Sequence, residues 1–389
     1  MNLLFALALG LSAQTPSPEE PARLRSALPN GAITLVERLD GASSLSVQLF
    51  ASTKSTSPTD RAASHRHLLE HLVARGRAGR LDQRLELSGM FLRARTFRDF
   101  MHFEISCAPT QLDEALSAIA EIMAPPSISQ AMIEGELPIL EQELALVPSS
   151  AILAAAAWRV AYGELGADPV GSLEHMRNAT RAELVELHRE LFRRSNLVLA
   201  VSGQVPVRSS SAKLASVLDG GERAEPHLPR PIRGKPGRAE AVGAFGEARA
   251  AIVGDYRSPA TMATLAAALA LAAQLQEAFV TYTPSRQGMV TLGRTTETSG
   301  VGLLADHLAS TGAPELVELG RNLAAGWVEG QLREPSTSAF LRGALLVLGP
   351  GERPELMLDS IRGMTAGDFA DGLRAFGRDR AVTIVGGAR

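Results

Sequence analysis

The chain has a single cysteine, Cys107, in 389 residues, so it can form no intrachain disulfide and no cysteine-based zinc site. That residue reads as a small apolar side chain in a strand. Aromatics are scarce, at 4% of the residues, so the cores must be filled mainly by Ala, Leu, Val and Ile. No segment is strongly basic and the net charge is −3. A nucleic-acid reader shows a clustered Lys/Arg face, so nucleic acid is set aside as a partner. Beyond the N-terminus no stretch offers about 18 apolar residues without charge or helix breakers, and no stable membrane insertion is expected.

What is present is ordinary for a globular protein: 45% apolar and 21% charged residues. The length suits two domains of roughly 150–200 residues. The opening "MNLLFALALGLSAQT" is apolar from Leu3 to Leu11 and continues with Ser12-Ala13-Gln14. That layout is a short secretory signal with a small-residue cleavage site, although no Lys or Arg precedes the apolar run. Residues 1–22 are read as signal peptide and Pro-rich leader, and the mature protein as soluble and periplasmic or secreted.

Residues 28–53 read as two strands, with Asn30-Gly31 turning into the first and Asp40-Gly41-Ala42 breaking the pair. A helix is expected from about Arg61 to Gly76, with Ser57, Thr59 and Asp60 as N-cap choices. Residues 99–108 alternate as a strand, and a helix capped by Thr110 and Asp113 closes at Pro125-Pro126. Helices follow at 129–146 (through Pro138), 151–162 and 180–192, then a strand at 196–205. Residues 206–240, rich in Ser, Pro, Gly and charge, read as a linker. After it the order restarts: a strand at 248–255, a long Ala/Leu helix at 259–280 and a strand at 288–293. Helices at 300–311 and 315–332, two more short helices and a last strand complete it. The expected fold class is α+β: two related domains, 23–205 and 241–389, each a mainly antiparallel sheet packed with helices, the second shortened.

The stretch "SHRHLLEHLVARG" carries His67-Leu-Leu-Glu-His71 in the middle of the first helix. Residues i and i+4 share a helix face, so His67 and His71 can direct two imidazoles at one cation, with Glu70 on nearly the same face as a general base. His-x-x-Glu-His is the inverted form of the commoner zinc-protease motif. A catalytic zinc needs a third protein ligand, and "IEGELPILEQELAL" offers Glu134, Glu136, Glu141 and Glu143. A solvated polar stripe in an Arg/Glu-rich helix is the bland reading of the same five residues. His65, His102, His175, His188, His227 and His307 have no partner at ligand spacing and read as surface or core histidines.

The sequence resembles the pitrilysin/insulinase-type zinc metallopeptidases, especially the smaller bacterial members related to mitochondrial processing peptidase. "LPNGAITLVERLDGASSLSVQLFAST" is similar to that family's opening hairpin, which leads into the motif helix. "SGMFLRARTFRDFMHFEISCAPTQLDEALSAIAEIM" resembles its Gly-x-x-x-Asn-Ala-x-Thr strand and following helix. "GSLEHMRNATRAELVELHRELFRRSNLVLAVSGQV" resembles the segment that ends the first domain. The resemblance runs in order from about residue 25 to 220 and weakly through 240–389.

The resemblance implies that His67 and His71 bind Zn2+ and that Glu70 is the catalytic base. It implies that residues 23–205 are the zinc-peptidase domain and 241–389 its degenerate copy. The third ligand is the second of a glutamate pair seven apart; the apolar pair Ile139-Leu140 sets the register to Glu143, with Glu136 as its supporting acid and Glu141 as the fallback. Three departures stand out. Arg93 replaces the family's substrate-holding asparagine before Ala94-x-Thr96, Pro138 sits between the two acids, and Leu275 stands where an Arg should lie seven before Tyr282, with Arg286 on the other side. Some bacterial members of the family divide the zinc site and that Arg/Tyr pair between two chains. The implied enzyme hydrolyses peptides or unfolded segments, with a homologous partner chain supplying the Arg/Tyr grip. The competing roles are a catalytically inactive structural partner of the same family, and a binding module carrying the motif by chance.

Overall fold

The computed structural model describes residues 20–53, 59–76, 79–223, 233–254, 258–296, 300–311, 314–349 and 353–387. The expected signal segment, apart from the end of its leader, and the cap choice Ser57 lie outside these residues. The first half runs β1 (Arg23–Ala27), β2 (Ile33–Arg38), β3 (Leu45–Ser52), α1 (Asp60–Ala74), α2 (Leu81–Leu87), β4 (Phe91–Thr96) and β5 (Phe100–Cys107). It continues through α3 (Leu112–Met123), α4 (Gln130–Ala145), α5 (Ser149–Tyr162), α6 (Leu173–Arg177), α7 (Arg181–Leu191), β6 (Leu197–Gly203) and α8 (Val207–Val217). The second half runs β7 (Arg238–Val242), β8 (Glu247–Val253), α9 (Pro259–Ala272), β9 (Ala278–Tyr282), β10 (Gly288–Arg294) and α10 (Val301–Thr311). Then come α11 (Pro314–Arg333), α12 (Pro335–Leu348), α13 (Glu355–Arg362), α14 (Ala366–Arg374) and β11 (Val382–Gly387).

The fold is α+β with a six-stranded and a five-stranded sheet. The first sheet is ordered β1-β2-β6-β3-β5-β4 and the second β7-β11-β8-β10-β9. Removing β1 makes the two orders identical, and in each the last strand is parallel to one neighbour (β2–β6, β7–β11) and antiparallel to the other. By this correspondence α9 in the second half occupies the place that α1 holds in the first. It is Ala/Leu-rich, buried and without histidine.

Each sheet has two covered faces. Val47, Leu49, Ala51 and Phe103 of the first sheet pack against Leu68, Leu69, Leu72 and Val73 of α1 and the neighbouring helices. The opposite face (Leu35, Phe50, Phe100, Val198, Ala200) is covered by Ala339, Ala344, Leu346 and Val347 of α12, which belongs to the second half. Gly343 permits this approach, because a Cβ there would sit 2.1 Å from the Phe50 ring. Reciprocally, Leu153, Ala157, Trp158, Ala161 and Tyr162 of α5 pack on Ala248, Ala250, Met289, Val382 and Ile384 of the second sheet. The two halves thus exchange one helix each.

Several local expectations change. The stretch read as linker, 206–240, contains α8 and the start of β7; α8 buries Val207 and Leu214 in the first core. The helix expected over 259–280 ends at Ala272, and Ala278–Tyr282 pairs with β10 instead. Three helices rather than two precede the last strand, the first of them the 14-residue α12. Thr110 and Asp113 do not cap α3: the Gln111 side chain accepts from the Ala108 N–H, and Asp113 pairs with Lys213 at 2.6 Å. The helix expected over 129–146 forms as expected, Gln130–Ala145 with Pro138 inside it. No single described helix is long and apolar enough to cross a membrane.

Candidate metal centre

Helix α1 starts where Thr59 accepts a hydrogen bond from the Ala62 N–H at 3.3 Å, satisfying one of the free donors of the first turn. It buries its polar residues as well as its apolar ones: Ser64, His65, Arg66, His67 and Glu70 are all among the buried groups. Burying polar groups costs free energy unless each finds a partner, so the partners show what this helix is built to hold.

His67 Nδ1 lies 2.9 Å from the Val170 carbonyl oxygen. A carbonyl only accepts, so Nδ1 carries the proton and Nε2 presents a lone pair. His71 Nδ1 lies 3.2 Å from Glu136 Oε2, which fixes the same tautomer. The two rings, 5.1 Å apart between centroids, turn their Nε2 atoms toward one carboxylate oxygen. Glu143 Oε2 is 3.5 Å from His67 Nε2 and 3.3 Å from His71 Nε2. Glu136 and Glu143 are seven apart, two turns of α4, so both reach α1 from one helix face. Glu141 points elsewhere, 3.6 Å from Arg177, and Glu134 bonds Gln130.

Glu70 joins the two histidines: ligand-type atoms of His67, Glu70 and His71 lie within 4.8 Å of one another. Thr96 Oγ1, at the end of β4, donates to Glu70 Oε2 at 2.5 Å. Arg75 Nε donates to Glu136 Oε1 at 2.9 Å, and its other end meets Asp82 at 3.0 Å. The histidine anchor rests on the 168–172 loop, which Ser64 clamps through its hydroxyl to the Ser172 N–H at 2.9 Å.

Burial is the dominant force on the charges here. It pushes the Glu70 carboxyl up to about 7, against the Thr96 hydrogen bond, which favours the ionised form. Burial lowers His67, helped by neighbouring His71. On His71 burial acts the same way, but the Glu136 hydrogen bond and the Glu143 and Glu70 carboxylates prevail and raise it. Glu136 is held below its ordinary value despite burial, by hydrogen bonds from His71 and Arg75.

The donor set suits a divalent cation of borderline softness: two imidazole lone pairs and one carboxylate oxygen. Ligand atoms around a tetrahedral ion at roughly 2.1 Å stand about 3.4 Å apart, and Glu143 Oε2 stands 3.3 and 3.5 Å from the two Nε2 atoms. The carbonyl of Val170 and the salt link through Arg75 had no sequence signal; a backbone carbonyl carries none. The other described histidines are elsewhere. His102 bonds Gln48 and His188 stacks on Phe192 within the fold, while His175 bonds Ser172. His227 lies outside the described residues.

Comparison with known proteins bears on the same region. A family model described as insulinase (peptidase family M16) matches residues 36–163. The chain is 24% identical over 199 residues to the mitochondrial-processing peptidase subunit beta of Saccharomyces cerevisiae, covering 49% of this chain and 43% of that protein. It therefore spans less than half the length of that relative. Among solved structures it resembles a protease from Helicobacter pylori, with a TM-score of 0.77 at 16% identity over 94% of this chain and 100% of the other. It also resembles a peptidase M16 inactive domain from Pseudomonas fluorescens, with a TM-score of 0.74 at 14% identity over 94% and 98% of the two chains. Likeness at these identities speaks for the fold.

Proposed function

We propose, from the premise that this chain carries a peptidase M16 (insulinase) family domain, that it is a zinc-dependent peptidase acting on peptides or unfolded segments. His67, His71 and Glu143 are its metal ligands and Glu70 its base. The observation that carries the reading is the convergence of His67 Nε2, His71 Nε2 and Glu143 Oε2, with Glu70 beside them. A zinc ion there would supply Lewis acidity toward a water and the scissile carbonyl.

The chain's own groups do the rest. Val170 and Glu136 fix the two imidazole tautomers. Thr96 holds Glu70 Oε2, so Oε1 takes the proton of the attacking water and returns it to the leaving amine nitrogen. Strand β4 is the edge of its sheet and packs beside α1, so an extended peptide pairing with that edge is drawn past the site.

The proposal extends to a two-chain enzyme in which a homologous partner supplies the Arg/Tyr grip, since Leu275 stands seven before Tyr282. The apolar N-terminal run supports export to the periplasm or the medium. A second reading, an inactive partner subunit, is favoured by Arg93 in place of the substrate-holding asparagine and by the likeness to an inactive M16 domain.

The experiment is zinc content and peptide hydrolysis of the wild type and Glu70→Gln, each alone and with the homologous chain from a neighbouring gene. The expected result is metal in both, activity in the wild type alone, and a large gain with the partner. A protein that holds no zinc under any loading condition defeats the enzyme reading. Full activity without a partner defeats the two-chain one.

A further inference from the structure

A cavity of about 250 Å³ opens between the two halves beside the candidate metal centre. Its walls come from the β4–β5 turn (Phe97 to Phe100), from α5 (Ala154, Trp158), from Asp168-Pro169 and from the loop after β9 (Tyr282, Ser285). Two walls continue directly into the site: Phe97 follows Thr96, the partner of Glu70, and Pro169 precedes Val170, the partner of His67. At this size, below the ~300–1,000 Å³ usual for small-molecule pockets, the cavity suits a single side chain or a chain end.

Its walls are largely apolar, with a buried cation, Arg98, among them. The Arg98 guanidinium lies 4.4 Å over the Trp158 ring, and its buried Nε meets no hydrogen-bond acceptor. Both nearby acids, Asp99 and Asp168, act on Arg98 through their charge but take their hydrogen bonds from other groups. Asp99 accepts the Arg286 backbone N–H at 3.2 Å and lies 3.7 Å from its Nη1, while Asp168 accepts the Val170 N–H at 3.2 Å. Burial lowers Arg98 to about 10, although the Asp168 and Asp99 carboxylates act the other way. A buried cation that its neighbouring acids offset only in part is costly, and a carboxylate is the planar partner that a guanidinium fork fits best.

We propose that this cavity is a substrate subsite in which Arg98 receives a peptide carboxylate, from an Asp or Glu side chain or from the C-terminus. That the ligand is a peptide rests on the peptidase reading; the carboxylate preference rests on the cavity.

The test reads binding, not turnover. The zinc-loaded full chain carrying Glu70→Gln is titrated with one short fluorescent peptide in paired forms: free C-terminus against amide, and Glu against Gln at successive positions. Anisotropy should show one acidic form binding about tenfold tighter than its neutral pair. A free-acid preference assigns the chain end and a Glu preference the side chain. Arg98→Met should bring the ratio near unity while leaving the neutral peptide's affinity unchanged, and Arg98→Lys should restore part of it. Equal affinity for acidic and neutral forms, or a preference that survives Arg98→Met, overturns the proposal. If Arg98→Met does not fold, Ala155→Phe, at a further position of the α5 wall, fills the cavity while keeping Arg98 and must weaken the acidic peptide selectively; unchanged binding overturns the proposal equally. A carboxylate preference without hydrolysis by the wild type would retain the subsite and remove the peptidase reading, and hydrolysis without a preference would do the reverse.

Discussion

His71 Nδ1 lies 3.2 Å from Glu136 Oε2, and that carboxylate's other oxygen takes Arg75 at 2.9 Å. The acid therefore orients an imidazole and is itself held by a cation, the arrangement that raises the basicity of a metal-ligating histidine. Glu136→Gln keeps the shape and removes the charge, so zinc affinity should fall by roughly 10- to 100-fold with one ion still bound at saturation. Glu143→Gln should lose more, and Glu141→Gln should change little, since Glu141 pairs outward with Arg177. Chelator competition measures all three. A loss at Glu141 equal to that at Glu143 would show that the ligand register is wrong.

The Val170 carbonyl that holds His67 depends on the next residue. Gly171 has φ +73, and a Cβ there would sit 2.5 Å from the Ser64 Cα and Oγ. Gly171→Ala thus combines backbone strain with a clash against the very helix that carries the histidines. It should cost about 1–3 kcal/mol of stability and weaken zinc binding several-fold, read by thermal melts with and without metal. An unchanged metal affinity would detach this loop from the site.

Glu70 gives the metal-free protein a signed pH dependence. Its folded value of about 7 lies above the ordinary 4.5, so the folded state holds the proton more tightly than the unfolded chain. That difference opposes folding as pH rises from 4.5 through 7, by up to about 3 kcal/mol. Metal-free Glu70→Gln should therefore be more stable than metal-free wild type at pH 8, with the gap closing toward pH 5. Denaturant melts of the two proteins across that range check it. A gap that widens toward low pH has the wrong sign and would place the Glu70 carboxyl in a less buried setting.

Much of this arrangement was legible in the chain. The i, i+4 histidines are local and helix geometry alone puts them on one face; Thr59 was one of three cap choices, and Glu136 and Glu143 were set apart from the equally spaced Glu134 and Glu141 only by the resemblance to the zinc peptidases. The repeated order of strand and helix types pointed to two related sheets. The helix exchange was not legible, because amphipathic periodicity says that α5 and α12 bury a face but not against which sheet. In α9 nearly every position is buried, so no polar stripe marked its end at Ala272. The cavity at Arg98 depends on loops from both halves meeting, which no single segment records.

Arg342 ties α12 to the first sheet through charge as well as packing. Its Nε lies 2.8 Å from Glu37 Oε1, both side chains are 8% exposed, and Ser202 and Ser338 donate to the other oxygen at 2.9 and 2.5 Å. Removing Arg342 leaves Glu37 with its two serine donors and the partly exposed Arg23 at 3.6 Å, and removing Glu37 leaves Arg342 with Glu355 at 3.0 Å. Arg342→Met should therefore cost less than the about 3–5 kcal/mol of a fully stranded partner, and adding Glu37→Gln should recover part of that loss. The double-mutant cycle measures the coupling, and additive losses would mean the pair is solvated.

The exchanged helices make a stronger claim about folding units. A fragment ending at residue 223 keeps α5 but loses the second sheet on which Trp158 and Tyr162 pack; it also exposes Phe50 and Phe100, which α12 covers. A fragment starting at residue 233 loses α5 and leaves α12 without its sheet. Each piece alone should bind a hydrophobic dye and melt without a cooperative transition. Co-expressed, the two should form a one-to-one complex that melts cooperatively near the intact chain, because the apolar faces covered by exchange are restored across the break. Calorimetry and size-exclusion chromatography of the separate and combined fragments decide it. Two fragments that each fold cooperatively alone would show that the exchanged helices are peripheral to the cores.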